Sequence, residues 1–132
     1  GGNGDLYIFV SVEPHNIFKR SEENLFFEFP ISLTDATLGT TVEVPTIDGG
    51  KAKVKIPSGT QHGKQFRLRG KGMPIIRSKD FGDLYIRVST EVPTSITKEQ
   101  KSLLEQFKKL EDTKSNPIMK DFFEKAKKFW KN

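Results

Sequence analysis

The pentapeptide GDLYI occurs twice in this chain, at residues 4–8 and again at residues 82–86. The likeness continues, because FVSVE follows the first copy and RVSTE the second, and a proline, an isoleucine and a lysine then recur in the same order. A repeat of this kind predicts one structural unit used twice. Little sequence precedes the first copy, so we expect most of the first unit to be missing and the chain to be the C-terminal piece of a longer protein.

The composition suits a globular protein with a modest core, with 30% charged and 34% hydrophobic residues in 132. The sequence contains no cysteine, which excludes disulfides, thiolate metal sites and a cysteine nucleophile. No apolar run is long enough to span a bilayer. The net charge of +5 permits loose affinity for anionic partners, but acidic residues are interspersed along the chain.

Alternating hydrophobicity predicts strands through the first three quarters of the chain. The predicted strands cover residues 6–12, 24–31, 41–45, 51–56, 65–69 and 84–92. Asp48-Gly49, between the third and fourth of these, predicts a tight hairpin. A short helix is expected over residues 34–38, with Thr34 as N-cap and Gly39 as its end.

The strand over residues 24–31 has two different faces. One is predicted to face the core and carries Leu25, Phe27, Phe29 and Ile31. Phe26 and Glu28 lie on the other, so Phe26 is an aromatic residue where solvent would favour a polar one. Packing of Phe26 under a neighbouring loop is the structural alternative to a binding role.

The hydrophobic period becomes helical after Pro93. Thr97 followed by Gln100 predicts a capping box, and apolar residues then recur at helical spacing at Leu103, Leu104, Phe107 and Leu110. A polar linker over residues 112–116 precedes a last helix, with Pro117 in its first turn. One side of that helix carries an apolar stripe, which consists of Met119, Phe122, Phe123, Ala126, Phe129 and Trp130.

Four segments together resemble the C-terminal region of DnaJ-type co-chaperones, the forty-kilodalton heat-shock class. They are GDLYIFVSVEPHNIFKRSEENL, PISLTDATLGTTVEVPTIDG, KIPSGTQHGKQFRLRGKGMP and GDLYIRVSTEVP, and the tail NPIMKDFFEKAKKFW resembles the bacterial, zinc-finger-containing type. The resemblance implies a mainly β, small β-sandwich-like substrate-binding domain with a short helix, followed by a helical dimerisation segment. Residues 1–15 would close a truncated first β-domain, 16–95 would form the second β-domain, and 96–132 would form the dimerisation segment.

The resemblance also implies a function. Such a protein binds unfolded polypeptides in the cytoplasm, forms a V-shaped homodimer and acts upstream of a DnaK-type chaperone in protein folding and the stress response. This chain has no His-Pro-Asp tripeptide and no CxxCxGxG repeat. We therefore expect no ATPase stimulation by these residues and no cofactor in them, with zinc held only in the region upstream. No catalytic constellation is recognisable, so an enzyme is not predicted.

The expected site residues fall into two groups. Ile8, on the closing strand of the first β-domain, and Phe26, in the second, are predicted to bind client polypeptide. Dimerisation is assigned to the stripe of Met119, Phe122, Phe123, Ala126, Phe129 and Trp130. The alternative for this stripe is that it folds back onto the β-domain.

Other motifs favour structural roles. Gly70-Lys71-Gly72 lacks the P-loop pattern and is read as a turn after a strand. Lys51, Lys53 and Lys55 could form a nucleic-acid face, but a solvated strand face that blocks edge pairing is the better interpretation. His15 and His62 are isolated, and Asp83 recurs in the repeat, which predicts a role in turn capping. An oligomerisation scaffold without client binding and a basic nucleic-acid-binding β-protein remain the alternative functions.

Overall fold

The computed structural model describes residues 15–131, which form two compact units that adjoin between Pro93 and Thr94 in the sequence. The first unit contains β1 (Lys19–Ser21), β2 (Asn24–Ser32), α1 (Leu33–Leu38), β3 (Thr40–Pro45), β4 (Lys51–Ile56), β5 (Gln65–Leu68) and β6 (Leu84–Glu91), and the second contains α2 (Lys98–Leu110) and α3 (Pro117–Lys131). The prediction of a mainly β domain with a short helix, followed by a helical segment, is confirmed.

The first unit has two sheets. Four strands form the larger one in the order β1-β2-β6-β5, in which β2 and β6 are parallel neighbours and both outer strands are antiparallel to them. β3 and β4 form a separate hairpin. The predicted strands between residues 24 and 92 agree with the structure to within one residue at each end. The strand predicted over residues 6–12 lies outside the described residues, and β1, whose three residues are all exposed and polar, was not predicted.

The core lies on the inner face of the larger sheet. Strand alternation directs Leu25, Phe27 and Ile31 of β2 inward, where Leu25 is in register with Leu84 and Phe27 with Ile86 on β6. Phe29 packs against this core while still partly exposed. The buried apolar side chains are those of Phe18, Leu25, Phe27, Ile31, Ala36, Val44, Val54, Ile56, Met73, Leu84, Ile86 and Val88.

The β3–β4 hairpin has the predicted turn. Gly49 has a φ of +89°, a conformation that is costly for any residue with a Cβ. The Asp48 carboxylate accepts hydrogen bonds from the Thr46 hydroxyl and the Gly50 N–H, and these bonds lower the pKa of Asp48. The turn therefore stabilises itself through an ionised side chain.

Helix α1 begins one residue earlier than predicted, and the assignment of Thr34 as its N-cap is wrong. Ser32 is the cap, since its hydroxyl accepts a hydrogen bond from the Asp35 N–H at 3.0 Å. Ser32 is also the last residue of β2, so the strand leads directly into the helix. The helix ends at Gly39, as predicted.

The second copy of GDLYI closes the sheet where three backbone segments converge. A Cβ placed on Gly82 would lie 2.1 Å from the carbonyl oxygen of Glu23, and one on Gly72 would lie 2.5 Å from the same atom. Gly82 N–H donates to Met73 O, and Gly72 N–H donates to Gly82 O, both at 2.8 Å. Only glycine fits at positions 72 and 82 of this crossing, whereas Gly70, with a φ of +73° and open space around it, belongs to the turn that precedes the crossing.

The remaining letters of the motif divide between turn, core and surface. The Asp83 carboxylate accepts a hydrogen bond from the Gly70 N–H at 3.1 Å, which matches its predicted role in a turn. Leu84 and Ile86 are buried, whereas Tyr85 points to the opposite face of the sheet. The glycine, aspartate, leucine and isoleucine of the motif thus have structural roles in the β-unit. The tyrosine does not contribute to the core.

Both helices of the second unit begin as predicted. Thr97 and Gln100 form a reciprocal capping box before α2, and Pro117 is the first residue of α3. In the linker, the Asp112 carboxylate accepts hydrogen bonds from the Lys114 and Ser115 N–H groups, which lowers the pKa of Asp112. Within residues 15–131 no helix combines the length and the apolar character that crossing a bilayer requires.

Candidate functional site

A row of four side chains crosses the outer face of the larger sheet. In the strand register, Lys19 of β1 pairs with Phe26, Phe26 pairs with Tyr85, and Tyr85 pairs with Arg67 of β5. Cross-strand neighbours on one face of a sheet lie within side-chain contact. Two aromatic residues with a cation on either side therefore occupy the centre of a face that a solvated sheet would normally fill with polar residues.

The two aromatic rings form a ridge. The ring centroids of Phe26 and Tyr85 are 5.0 Å apart, and their planes are inclined by 12°. At this separation the rings are too close to lie side by side in one plane, so they stand face to face across the two strands. Each ring covers one face of the other, and both side chains are half-buried.

A shallow groove of about 460 Å³ runs along this ridge. Its lining residues are Asn16, Ile17, Lys19, Phe26, Phe27, Glu28, Gln65, Tyr85 and Arg87. Ile17 is 47% exposed and adds an aliphatic surface beside the aromatic rings. The groove therefore combines aromatic, aliphatic and charged side chains in one hollow.

Ion pairs flank the ridge. The Arg87 guanidinium lies 3.1 Å from the Glu28 carboxylate, and Arg67 Nε lies 3.4 Å from the Asp83 carboxylate. Lys19 forms no ion pair with any residue in the described range 15–131. Exposed pairs of this type contribute little to stability, so their main effect is on the charge presented to a ligand.

Of the two residues predicted to bind client, the structure describes one. Phe26 lies on the outer face, as predicted from alternation, and it stacks on Tyr85 of the adjacent strand. Ile8 lies outside the described residues. Ile86, which occupies the corresponding place in the second copy of GDLYI, is only 1% exposed. The outward residue of that copy is Tyr85, which the sequence prediction did not select, although alternation with Leu84 and Ile86 was sufficient to find it.

The apolar stripe of α3 is uncovered within the helical unit. Phe129 and Trp130 are 76% and 70% exposed, and Phe122 packs edge to face against Phe123 with ring centroids 5.2 Å apart. The full stripe consists of Met119, Phe122, Phe123, Ala126, Phe129 and Trp130, of which only Ala126 is as much as half-buried. Large aromatic side chains are rarely left in water in this number without a partner.

Helix α2 has a second exposed apolar stripe. It consists of Leu103, Leu104, Phe107 and Leu110, whose helical spacing was predicted although no site was assigned to them. Neither helix contains a buried residue. A hollow of about 560 Å³, which Met119 and Phe123 help to line, lies between the end of α2 and the start of α3.

The other candidate residues have local structural partners. Lys51, Lys53 and Lys55 are exposed on β4, opposite Pro45, Glu43 and Thr41, so that no aromatic residue shares their face of the hairpin.

The two histidines are also engaged locally. His15 Nδ1 accepts hydrogen bonds from the backbone N–H groups of Ile17 and Phe18, and His62 Nδ1 accepts one from that of Thr90. Among residues 15–131 no three His, Cys, Asp or Glu side chains are grouped so that they could hold a metal ion.

Comparisons with known proteins connect both units to one family. The profile of the DnaJ C terminal domain matches residues 1–93, and that of the chaperone protein DnaJ C-terminal region matches residues 99–132. The chaperone protein DnaJ of Pelagibacter ubique is 69% identical over 132 residues, which are 100% of this chain and 35% of the relative.

Two further relatives agree with this similarity. The chaperone protein DnaJ of Xanthobacter autotrophicus is 53% identical, and that of Brucella anthropi is 49% identical, each over 130 residues. Those residues are 98% of this chain and 34% of either relative. The chain therefore spans about one third of the length of the curated relatives that it matches.

Proposed function

Because the chain belongs to the family of DnaJ C-terminal domains, we propose that it binds non-native polypeptide in the groove beside Phe26 and Tyr85 and forms a homodimer through the α3 stripe. In the whole protein these residues would act in the cytoplasm as part of a co-chaperone that delivers clients to a DnaK-type chaperone. The observation that carries the client-binding half of this proposal is the stacked, half-buried aromatic pair at the centre of the outer sheet face.

The ridge and groove suit weak recognition of many sequences. Phe26, Tyr85 and Ile17 offer apolar surface in a hollow that is open to solvent. An extended segment places alternate side chains on one side, about 6.8 Å apart, so one or two of them would contact the ridge while the rest stay solvated. Such contacts select for apolar character and not for a defined sequence, which is what a chaperone requires.

Side chains, and not strand addition along β2, would provide most of this recognition. β1 pairs only with the first three residues of β2, up to Phe26. The N–H of Leu25 donates a hydrogen bond to Asp83 O, on the side of β2 that faces β6. Because backbone N–H groups alternate in direction along a strand, the backbone nitrogens of the even-numbered residues of β2 face the other side, toward β1. Pro30 is one of these and has no N–H to donate. The edge beyond β1 thus lacks a donor where an added strand would need one.

The α3 stripe supports the dimerisation half of the proposal. If roughly 400 Å² of apolar surface were buried between two copies, the gross gain at ~25 cal/mol per Å² would be on the order of 10 kcal/mol. Association costs remove much of this gain, but enough can remain for a stable dimer. Two grooves joined in one dimer would hold a long client more tightly than either groove alone, because the second contact becomes intramolecular.

A binding titration tests the proposal. The full chain is titrated against a labelled, permanently unfolded polypeptide, and Phe26→Ser is compared with Ile76→Ser, which removes an exposed isoleucine that does not line the groove. We expect saturable binding at physiological salt that Phe26→Ser weakens about fivefold and Ile76→Ser leaves unchanged.

Two other results would contradict the proposal. A dimer that binds no polypeptide would be an oligomerisation scaffold without client binding. Binding to DNA alone, with an affinity that collapses as salt increases, would indicate a nucleic-acid-binding protein. The stacking of Phe26 on Tyr85 argues against the latter, because bases stack on exposed ring faces and each of these rings already uses one face on the other.

A further inference from the structure

We propose that the groove beside Phe26 and Tyr85 prefers extended client segments in which an acidic residue accompanies a large apolar one. The inference rests on the proposed client binding and adds the chemical class of segment that this site would accept. It follows from the distribution of charge around the ridge, which is not symmetrical.

Lys19 is the cation that makes the groove selective. It is the register partner of Phe26 across β1 and β2, so its ammonium group extends from the position next to the aromatic ring. It is exposed and forms no ion pair with residues 15–131. Within that range no ion pair competes for its charge with a ligand that lies against Phe26.

The other charges near the ridge are already compensated. Arg87 pairs with Glu28 and Arg67 pairs with Asp83. Glu28 is consequently compensated in part, whereas Lys19 has no ion-pair partner among residues 15–131 and can attract an acidic client residue. The two cations and one carboxylate that line the groove leave an excess of one positive charge, which disfavours segments flanked by lysine or arginine.

The geometry of an extended chain allows both contacts at once. Residues two positions apart lie on the same side of a strand, at about 6.8 Å, and the flexible lysine side chain can reach across such a distance. An apolar side chain against Phe26 and Ile17 would place an aspartate or glutamate two residues away within range of Lys19. Pro30 weakens main-chain pairing along the neighbouring edge of β2. Side-chain charge therefore contributes more to which client segments bind.

Three matched peptides test this preference. Each is capped at both ends, so that no terminal carboxylate can substitute for an acidic side chain, and each has one common apolar core flanked by glutamate, glutamine or lysine. Fluorescence anisotropy with the full chain at low and physiological salt gives the affinities. We expect the glutamate peptide to bind about threefold more tightly than the glutamine peptide at low salt and the lysine peptide to bind most weakly.

Two lysine variants assign the effect to a residue. Lys19→Gln should remove the preference for glutamate and leave binding of the glutamine peptide unchanged, and Lys19→Glu should reverse the order. Lys53→Gln is the matched control, because Lys53 is an equally exposed strand lysine on the β3–β4 hairpin and does not line the groove. It should leave all three affinities as they are.

The outcomes separate this inference from the function on which it rests. Equal affinities for the three peptides, all lost in Phe26→Ser, would overturn the charge preference and retain the client groove. Binding that is unaffected by Phe26→Ser would overturn both. Displacement of the glutamate peptide by a single-stranded oligonucleotide at physiological salt would also overturn the preference for acidic client segments. It would indicate that Lys19 binds phosphate groups instead.

Discussion

The two units of this chain treat their apolar side chains in opposite ways. The described part of the β-unit, residues 15–93, buries twelve apolar residues in one core and leaves a half-buried aromatic pair on the outer face of its larger sheet. The helical unit has no buried residue in either α2 or α3, although both helices carry an apolar stripe. The described part of the first unit therefore has a core of its own, whereas the helical unit buries neither of its apolar stripes by itself.

The difference between the units is one between structure specified by local sequence and structure specified by tertiary contacts. Helices α2 and α3 have strong local signals, namely a capping box, an N-terminal proline and lysines in the last turn. The strands of the β-unit instead depend on partners distant in sequence, such as β2 with β6. Four substitutions, of decreasing expected effect, test this contrast.

The largest effect is expected at the backbone crossing of the β-unit. Gly82→Ala would place a Cβ 2.1 Å from Glu23 O, between rigid backbone segments that cannot move apart cheaply. We expect a loss of about 3 kcal/mol in the free energy of unfolding, measured by urea denaturation. Gly59→Ala is the control, since nothing lies within 4 Å of its Cβ, and should cost only about 1 kcal/mol from backbone strain. Equal losses in the two variants would show that the crossing is not tightly packed.

A substitution in the α3 stripe should have a large effect on association and little on the β-unit. Phe123→Ser is expected to weaken self-association at least about tenfold, because aromatic anchors dominate such interfaces. Lys128→Ser removes a large side chain from the polar side of the same helix and serves as the control. Sedimentation equilibrium measures the association, and urea denaturation measures the β-unit. An unchanged dimer in Phe123→Ser would mean that the stripe has another partner.

The aromatic ridge should behave as one unit in client binding. Phe26→Ser and Tyr85→Ser are each expected to weaken binding of an unfolded polypeptide about fivefold, and the double variant should lose less than the product of the two effects. The reason is that the rings support each other, with a coupling of about 1 kcal/mol. Affinities from anisotropy titrations complete the double-mutant cycle. Fully additive losses would indicate that the rings contact the client separately.

The smallest effect is expected from acid. Hydrogen bonds from the Thr46 hydroxyl and the Gly50 N–H lower the pKa of Asp48 in the folded β-unit. Because the folded pKa lies below the unfolded one, the stabilisation is present above the unfolded value of about 4 and is lost as the pH falls through the folded pKa. Asp48→Asn should therefore flatten the dependence of Tm on pH below about pH 4. An identical acid slope in the variant would assign that loss of stability to other carboxylates.

The sequence predicted most of the fold because its signals are local. Alternation located β2, Asp48-Gly49 located the hairpin, and Thr97 with Gln100 located the start of α2. It missed β1, since three exposed polar residues carry no periodicity, and it misplaced the α1 cap because strand and helix meet at Ser32.

The candidate site was less predictable. Phe26 could be selected from its own strand, but its stacking with Tyr85 and its register with Lys19 depend on strand pairs that join residues far apart in the sequence. No local pattern specifies that β2 and β6 are parallel neighbours. The motif GDLYI could be recognised as a repeat from the sequence. The stacking of its outward tyrosine on Phe26 could be recognised only from the structure, because Phe26 lies on the neighbouring strand.

The proposed self-association of the helical unit can be measured through Trp130. It is the only tryptophan in the chain and lies in the α3 stripe, 70% exposed. Its fluorescence emission should be followed across protein concentration together with the mass from analytical ultracentrifugation. We expect the emission to shift to shorter wavelength over the same concentration range in which the mass doubles. A monomer of constant mass with water-exposed Trp130 emission at every concentration would contradict the claim.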